Sequence, residues 1–196
     1  MRLRFEHGRR DELKTLNPAY FAMVMATGIV SIAAHLHAVP LVPTVLLWLN
    51  GVFFVAVAAA TVARILRYPQ AFAADIANHG RGVGFFTAVA GTAVLGTQLI
   101  VQIDAAAIAA GLWVAAAVLL AGVTYGELAV LTAKPDKPSL AEGLNGGWLV
   151  IVVAPQSVAI LTVLIAGAGA FAGYQQPMLF MALVRGSAAA RCICAS

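Results

Sequence analysis

The chain has 196 residues, of which 62% are hydrophobic and only 10% are charged, and its net charge is +4. A soluble domain of this size does not need so much apolar surface. Uninterrupted apolar runs of about 20 residues recur, and this length crosses a hydrocarbon core of about 30 Å. The composition therefore predicts an all-α, polytopic transmembrane helix bundle. In the strands of a membrane barrel, apolar and polar residues alternate along segments of about 10 residues, and that pattern is not seen.

A basic N-terminal segment, residues 1–17, precedes the first apolar run. That run is too long for a signal peptide and has no clear cleavage site, so it predicts a first transmembrane helix. We predict a transmembrane domain over residues 18–184 with five complete spans, numbered in chain order. The spans cover 18–36, 41–63, 83–103, 106–131 and 145–165, and a sixth apolar run covers 177–184.

The basic residues are distributed asymmetrically among the connections between spans. Five Lys or Arg residues precede span one, three lie between spans two and three, and two lie between spans four and five. The other short connections, at about 37–41, 102–105 and 166–176, contain none. Cytoplasmic connections carry the excess of Lys and Arg, so this pattern predicts a cytoplasmic N-terminus in a plasma (inner) membrane protein.

Polar residues concentrate in spans one, three and five, as shown by Thr87, Gln98, Asn145 and Gln156. Polar stripes avoid lipid, so the odd spans are expected to form an inner layer and the even spans an outer one. Ordinary bundle packing without a pore remains an alternative. In span four, small residues at the Gly122-x-x-x-Gly126 spacing are typical of close helix approach.

Span five contains a predicted break at Pro155, which lacks an N–H and clashes with the carbonyl four residues earlier. Asn145 and Gln156 are about three turns apart and share a face, which favours a transport path. The competing interpretation is that Pro and Gln are common at helix contacts in membranes.

Few residues are candidates for site chemistry. Glu127 lies inside span four, where a carboxylate suggests a functional site. The preferred interpretation is that its side chain reaches toward the interface or pairs with a loop Arg. Arg81, at the start of span three just before Phe85 and Phe86, would attract anions to a pore mouth or serve only as a topology signal. No catalytic constellation, metal site, cofactor or nucleic-acid partner is expected.

Three stretches resemble one family of membrane proteins. They read PAYFAMVMATGIVSIA, HGRGVGFFTAVAGTAVLGTQL and LNGGWLVIVVAPQSVAIL. Over residues 15–184 the chain resembles the tellurite-resistance/dicarboxylate transporter family, which includes malate transporters and the slow anion channels of plant guard cells. The resemblance implies ten helices in five hairpins, a pore ringed by the odd helices, and homotrimers.

The resemblance also places particular residues near the pore. These are Thr27, Gly28, Thr87, Gly91, Pro155 and Gln156, and the polar pattern of the odd spans adds Gln98 and Asn145. The family often has His-Pro before the span-three Arg, whereas this chain has His79-Gly80-Arg81. The implied function is transport of small anions such as C4-dicarboxylates; a non-transporting membrane module is the alternative. Neither the anion nor any proton coupling follows from the sequence.

The end of the chain changes character after residue 184. The run 177–184 is too short to span a membrane, and the following RGSAAARCICAS places Arg185 and Arg191 where apolar residues are expected. We expect residues 185–196 to be an out-of-frame tail and the chain alone to be inactive, with helices missing; a genuine short C-terminus is the alternative.

Overall fold

The computed structural model describes residues 15–76, 78–133, 149–169 and 176–184, and the regular structure in these ranges is helical. A 3-10 turn, Pro18–Tyr20, leads into the first helix. The helices are α1 Phe21–Leu36, α2 Val42–Arg67, α3 Pro69–Ile76, α4 His79–Gly82, α5 Phe85–Ile103, α6 Ala106–Ala133, α7 Leu149–Gly167 and α8 176–184.

Five of these helices, α1 (together with its preceding turn), α2, α5, α6 and α7, are long and apolar enough to cross a membrane. They correspond to spans one to five of the sequence, and the predicted polytopic helical bundle is confirmed. Asn145, Lys134, Lys137 and the tail 185–196 lie outside the described residues, so the predictions about them remain predictions.

Helix α5 lies at the centre of the bundle. It packs along α1, α6 and α7, while α2 lies mainly against α1. In its apolar stretch 67% of the residues are buried, against 11% in α2 and 17% in α6. Glycines allow the close packing: a Cβ at Gly91 would lie 3.2 Å from the backbone oxygen of Phe21, and one at Gly96 would lie 2.7 Å from Leu161.

The connection between spans two and three is more ordered than the loop expected from the sequence. It contains α3 and α4, and α3 begins at Pro69, whose fixed φ and missing N–H suit the first position of a helix. The Phe72 ring of α3 packs edge-on against Phe85, with ring centroids 5.1 Å apart. The connection therefore folds back onto the start of α5.

Candidate functional site

The three odd spans surround one groove, which we call the three-span groove. Its volume is about 530 Å³. It is lined by Ile29, Ile32, Ala33 and Leu36 of α1, Val94 and Thr97 of α5, and Val152, Val153, Gln156, Ser157 and Ile160 of α7. Helices α1 and α7 both pack on α5 but have little direct contact with each other, so the groove runs between them.

The groove wall is mostly apolar and carries no charged side chain. Its polar side chains are Thr97, Gln156 and Ser157. The Ser157 hydroxyl donates to the Val153 carbonyl at 2.9 Å, within the same helix. Leu36 and Ile160, at the rim, are 73% and 55% exposed. The groove is therefore neutral and open along one side in the described part of the chain.

Pro155 lies one residue before Gln156 and inside helix α7. Because proline has no N–H, it cannot donate to the carbonyl of Ile151 four residues earlier. The break predicted from the sequence is thus next in the chain to the groove residue Gln156, although neither Pro155 nor Ile151 lines the groove. A bend at this point stays a prediction.

Gln98 does not line the groove. It belongs to a buried cluster beside it, between α1, α2 and α5, which we call the amide network and which consists of Ser31, Asn50, Gln98 and Gln102. Asn50 Nδ2 donates to Gln98 Oε1 at 2.8 Å, and Gln98 Nε2 donates to Ser31 Oγ at 2.8 Å. The network joins spans one, two and three, so the interpretation of span two as a plain outer helix is incomplete.

The other predicted pore residues occupy several environments. Gly28 and Gly91 are buried at the crossing of α1 and α5. Thr87 is buried and donates its hydroxyl to the carbonyls of Gly84 (2.6 Å) and Pro18 (3.2 Å). Thr27 is half-buried on α1. None of these four lines the three-span groove, whereas Gln156 does.

Arg81, the predicted pore-mouth cation, is bound in an ion-pair cluster. Its Nη1 lies 2.7 Å from Asp75 Oδ1, and Asp75 Oδ2 lies 2.6 Å from Arg64 Nη2. The two guanidinium groups also donate to the carbonyls of Thr15 (3.2 Å) and Leu16 (2.7 Å), just before span one. Asp75 thus offsets part of the positive charge that the sequence alone attributed to Arg81.

Phe85 and Phe86, the other residues assigned to the mouth, are buried. Phe85 packs on Phe72 of α3, and Phe86 belongs to the apolar core formed by α5, α6 and α7. In the structure they fix the start of α5 within the bundle.

Glu127 on α6 is 91% buried and lies against α4, which carries Arg81 of the ion-pair cluster. Its carboxylate lies so close to Gly82 that a Cβ at that position would overlap it. The two glycines that precede Glu127 do not mediate a close helix contact in the described chain: a Cβ at Gly122 would have nothing within 4 Å, and one at Gly126 would meet only the Ile76 side chain at 3.8 Å.

Asp75 and Asn50 are the residues that sequence reasoning missed. Asp75 was one charge in an unstructured loop, and Asn50 was one polar residue in an apolar span. A lone Asn inside a span was the available signal, because a buried amide in a membrane requires a partner. Among the described residues no group of three or more His, Cys, Asp or Glu is arranged to bind a metal.

Comparison with known families agrees with this architecture. A family model described as voltage-dependent anion channel matches residues 15–189. No curated protein and no solved structure matches the chain. Because the family match extends over most of the chain and includes all five spans, the protein belongs to the voltage-dependent anion channel family, in agreement with the resemblance seen in its sequence.

Proposed function

We propose that the protein forms part of a transmembrane pathway for small anions, and that the three-span groove is a wall of this pathway. The observation that carries the proposal is that Gln156 and Thr97 line one groove, with Pro155 next to Gln156 in α7, in a chain of an anion channel family. The groove volume of about 530 Å³ falls within the range of about 300–1,000 Å³ of small-molecule sites.

The uncharged lining of the three-span groove favours passage of anions over tight binding of them. An ion that crosses a pore must be bound strongly enough to enter and weakly enough to leave. Amide and hydroxyl groups at Gln156 and Thr97 can donate to an anion, while a fixed Lys or Arg at this depth would hold it. We propose small carboxylates, including C4-dicarboxylates, as the anions, on the basis of the family resemblance.

We further propose that the described helices do not close the pathway by themselves. Leu36 and Ile160 at the rim are largely exposed, so an additional protein surface is needed to separate the groove from lipid. The chain alone is accordingly expected to conduct poorly. The homotrimer implied by the resemblance stays part of this proposal.

The proposed orientation places the N-terminus on the cytoplasmic side of the plasma (inner) membrane. It is supported by Arg64, Arg67 and Arg81, the three basic residues in the described ranges, which lie where spans two and three meet the same membrane face. A thiol at Asp104→Cys should then react with an impermeant reagent added outside intact cells. Reaction only after permeabilisation would reverse the orientation.

Thiol accessibility and flux test the function. In a chain with Cys192 and Cys194 replaced by Ser, a negatively charged methanethiosulfonate should modify Gln156→Cys, and excess malate or chloride should slow the reaction. Val55→Cys on α2, which is 66% exposed to the surroundings of the bundle, is the control and should stay unmodified. Flux of the same anions into liposomes, measured with and without the purified protein in the membrane, then tests transport.

A Gln156→Cys thiol that is unreactive, or whose reaction rate is the same with and without these anions, would argue against the groove as an anion pathway. The non-transporting module would then be the better interpretation of the fold.

A further inference from the structure

The amide network lies directly behind one wall of the three-span groove. Gln98 follows Thr97 on α5 and lies one turn after Val94; Thr97 and Val94 line the groove, while Gln98 does not and is fully buried. Ser31 on α1 occupies the corresponding place behind Ile32, which also lines the groove. Any movement of these two buried residues therefore moves the groove wall.

The direction of every hydrogen bond in the network follows from one proton. Ser31 has a single hydroxyl hydrogen, and it donates this hydrogen to the Pro43 carbonyl at 2.9 Å. The amides of Gln98 and Gln102 must therefore donate to Ser31 Oγ, each at 2.8 Å. Gln98 then presents its oxygen to Asn50, and Asn50 must act as the donor.

This arrangement leaves Asn50 with an unused oxygen. Asn50 is fully buried, and its Oδ1 has no hydrogen-bond partner within the described part of the chain. A buried acceptor without a partner is unfavourable, by an amount comparable to or larger than the net gain from the one hydrogen bond that Asn50 makes. Stability alone does not account for an amide here, which points to a role in geometry.

Gly28 allows the network to form at the crossing of α1, α2 and α5. A Cβ at this position would lie 2.5 Å from Val94 Cγ1 and 3.0 Å from Asn50 Nδ2. Val94 is itself a groove residue. The same small space therefore holds the Asn50 amide on one side and sets the position of the groove wall on the other.

We propose that Asn50 is a positioning residue for the three-span groove: through Gln98 and Ser31 it fixes α1 relative to α5 and thereby sets the separation of α1 from α7. This inference rests on the proposed function only in treating the groove as the anion pathway. A helix of the outer layer, which does not line the groove, thus determines its width.

Spin-label distances across the groove test this proposal without measuring flux. Labels at Leu36→Cys and Ile160→Cys, both exposed at the rim, report the separation of α1 and α7 in the purified protein with Cys192 and Cys194 replaced by Ser. Asn50→Leu and, separately, Gln98→Met remove the hydrogen bond with little change in volume. Thr61→Val on α2 is the matched control, because Thr61 donates only to Val57 of its own helix.

We expect both network variants to shift or broaden the distance distribution and the control to leave it unchanged. Asn50→Leu also leaves the Gln98 Oε1 acceptor buried without its donor, which lowers the unfolding temperature. An unchanged distribution in either network variant that folds, with or without a loss of stability, would overturn the proposal. Failure of anion protection at Gln156→Cys would instead count against the proposed function, so the two failures are separable.

Discussion

Helices α5 and α2 are both long apolar spans, yet they occupy opposite environments. In α5, which has the lowest mean hydropathy of the five spans, 67% of the apolar stretch is buried; in the more apolar α2 it is 11%. Lipid tails are as apolar as Leu, so apolarity does not drive a helix to the centre of a membrane bundle. Small and polar residues, which pack closely and bond to neighbours, determine which helix is central.

Helix α7 is the exception that refines this comparison. It has the highest mean hydropathy of the five, but 44% of its apolar stretch is buried. Its buried face includes Ser157 and Thr162, and Trp113 of α6 donates to Thr162 Oγ1 at 2.8 Å. Two buried hydroxyl groups thus accompany the burial of this apolar helix, whose other polar residue, Gln156, lines the groove.

The largest loss of stability is expected from the ion pair at the end of α2, although α2 as a whole has few buried residues. Asp75→Asn leaves Arg64 without its carboxylate partner, although both side chains are less than 10% exposed. Removing one member of a buried pair costs about 3–5 kcal/mol. Thermal unfolding in detergent measures this loss. Asp104→Asn, at an exposed turn after α5, is the control, and an equal change in both variants would contradict the assignment.

An intermediate effect is expected from enlarging glycines on the two helices. Gly91→Leu on α5 forces a side chain against the backbone of Phe21 and against Val24, which should cost about 1–3 kcal/mol. At Gly51 on α2 an added Cβ would have nothing within 4 Å. Gly51→Leu should therefore change stability by less than about 0.5 kcal/mol. If the two variants unfold at the same temperature, the close packing of α5 does not depend on glycine at position 91.

The smallest effect is expected at the contact of α6 with α7. Thr162→Val removes the acceptor of the Trp113 indole N–H and should cost about 1 kcal/mol. Thr92→Val is matched in burial, but Thr92 donates only to Ala88 of its own helix. A loss of stability for Thr92→Val as large as that for Thr162→Val would show that the interhelical bond contributes little.

The sequence predicts the spans well because the bilayer dictates the length of each apolar run. It predicts the partners of polar residues poorly, because these depend on tertiary contacts. Gln98 lies on the central helix α5, but its bonding depends on Asn50, 48 residues earlier. Arg81 was recognised as a cation at the start of span three, while the pairing with Asp75 required the unforeseen helix α3.

The bonds from Arg64 and Arg81 to the Leu16 and Thr15 carbonyls also have a consequence for biogenesis. Arg64 and Leu16 are 48 positions apart, and Arg81 and Thr15 are 66 positions apart. The bonds therefore connect the entry to span one with the end of span two and with the segment that leads into span three. During synthesis, these carbonyls precede span one and leave the ribosome long before either arginine. The entry to span one therefore reaches its final arrangement only after the translocon has received span two and the beginning of span three.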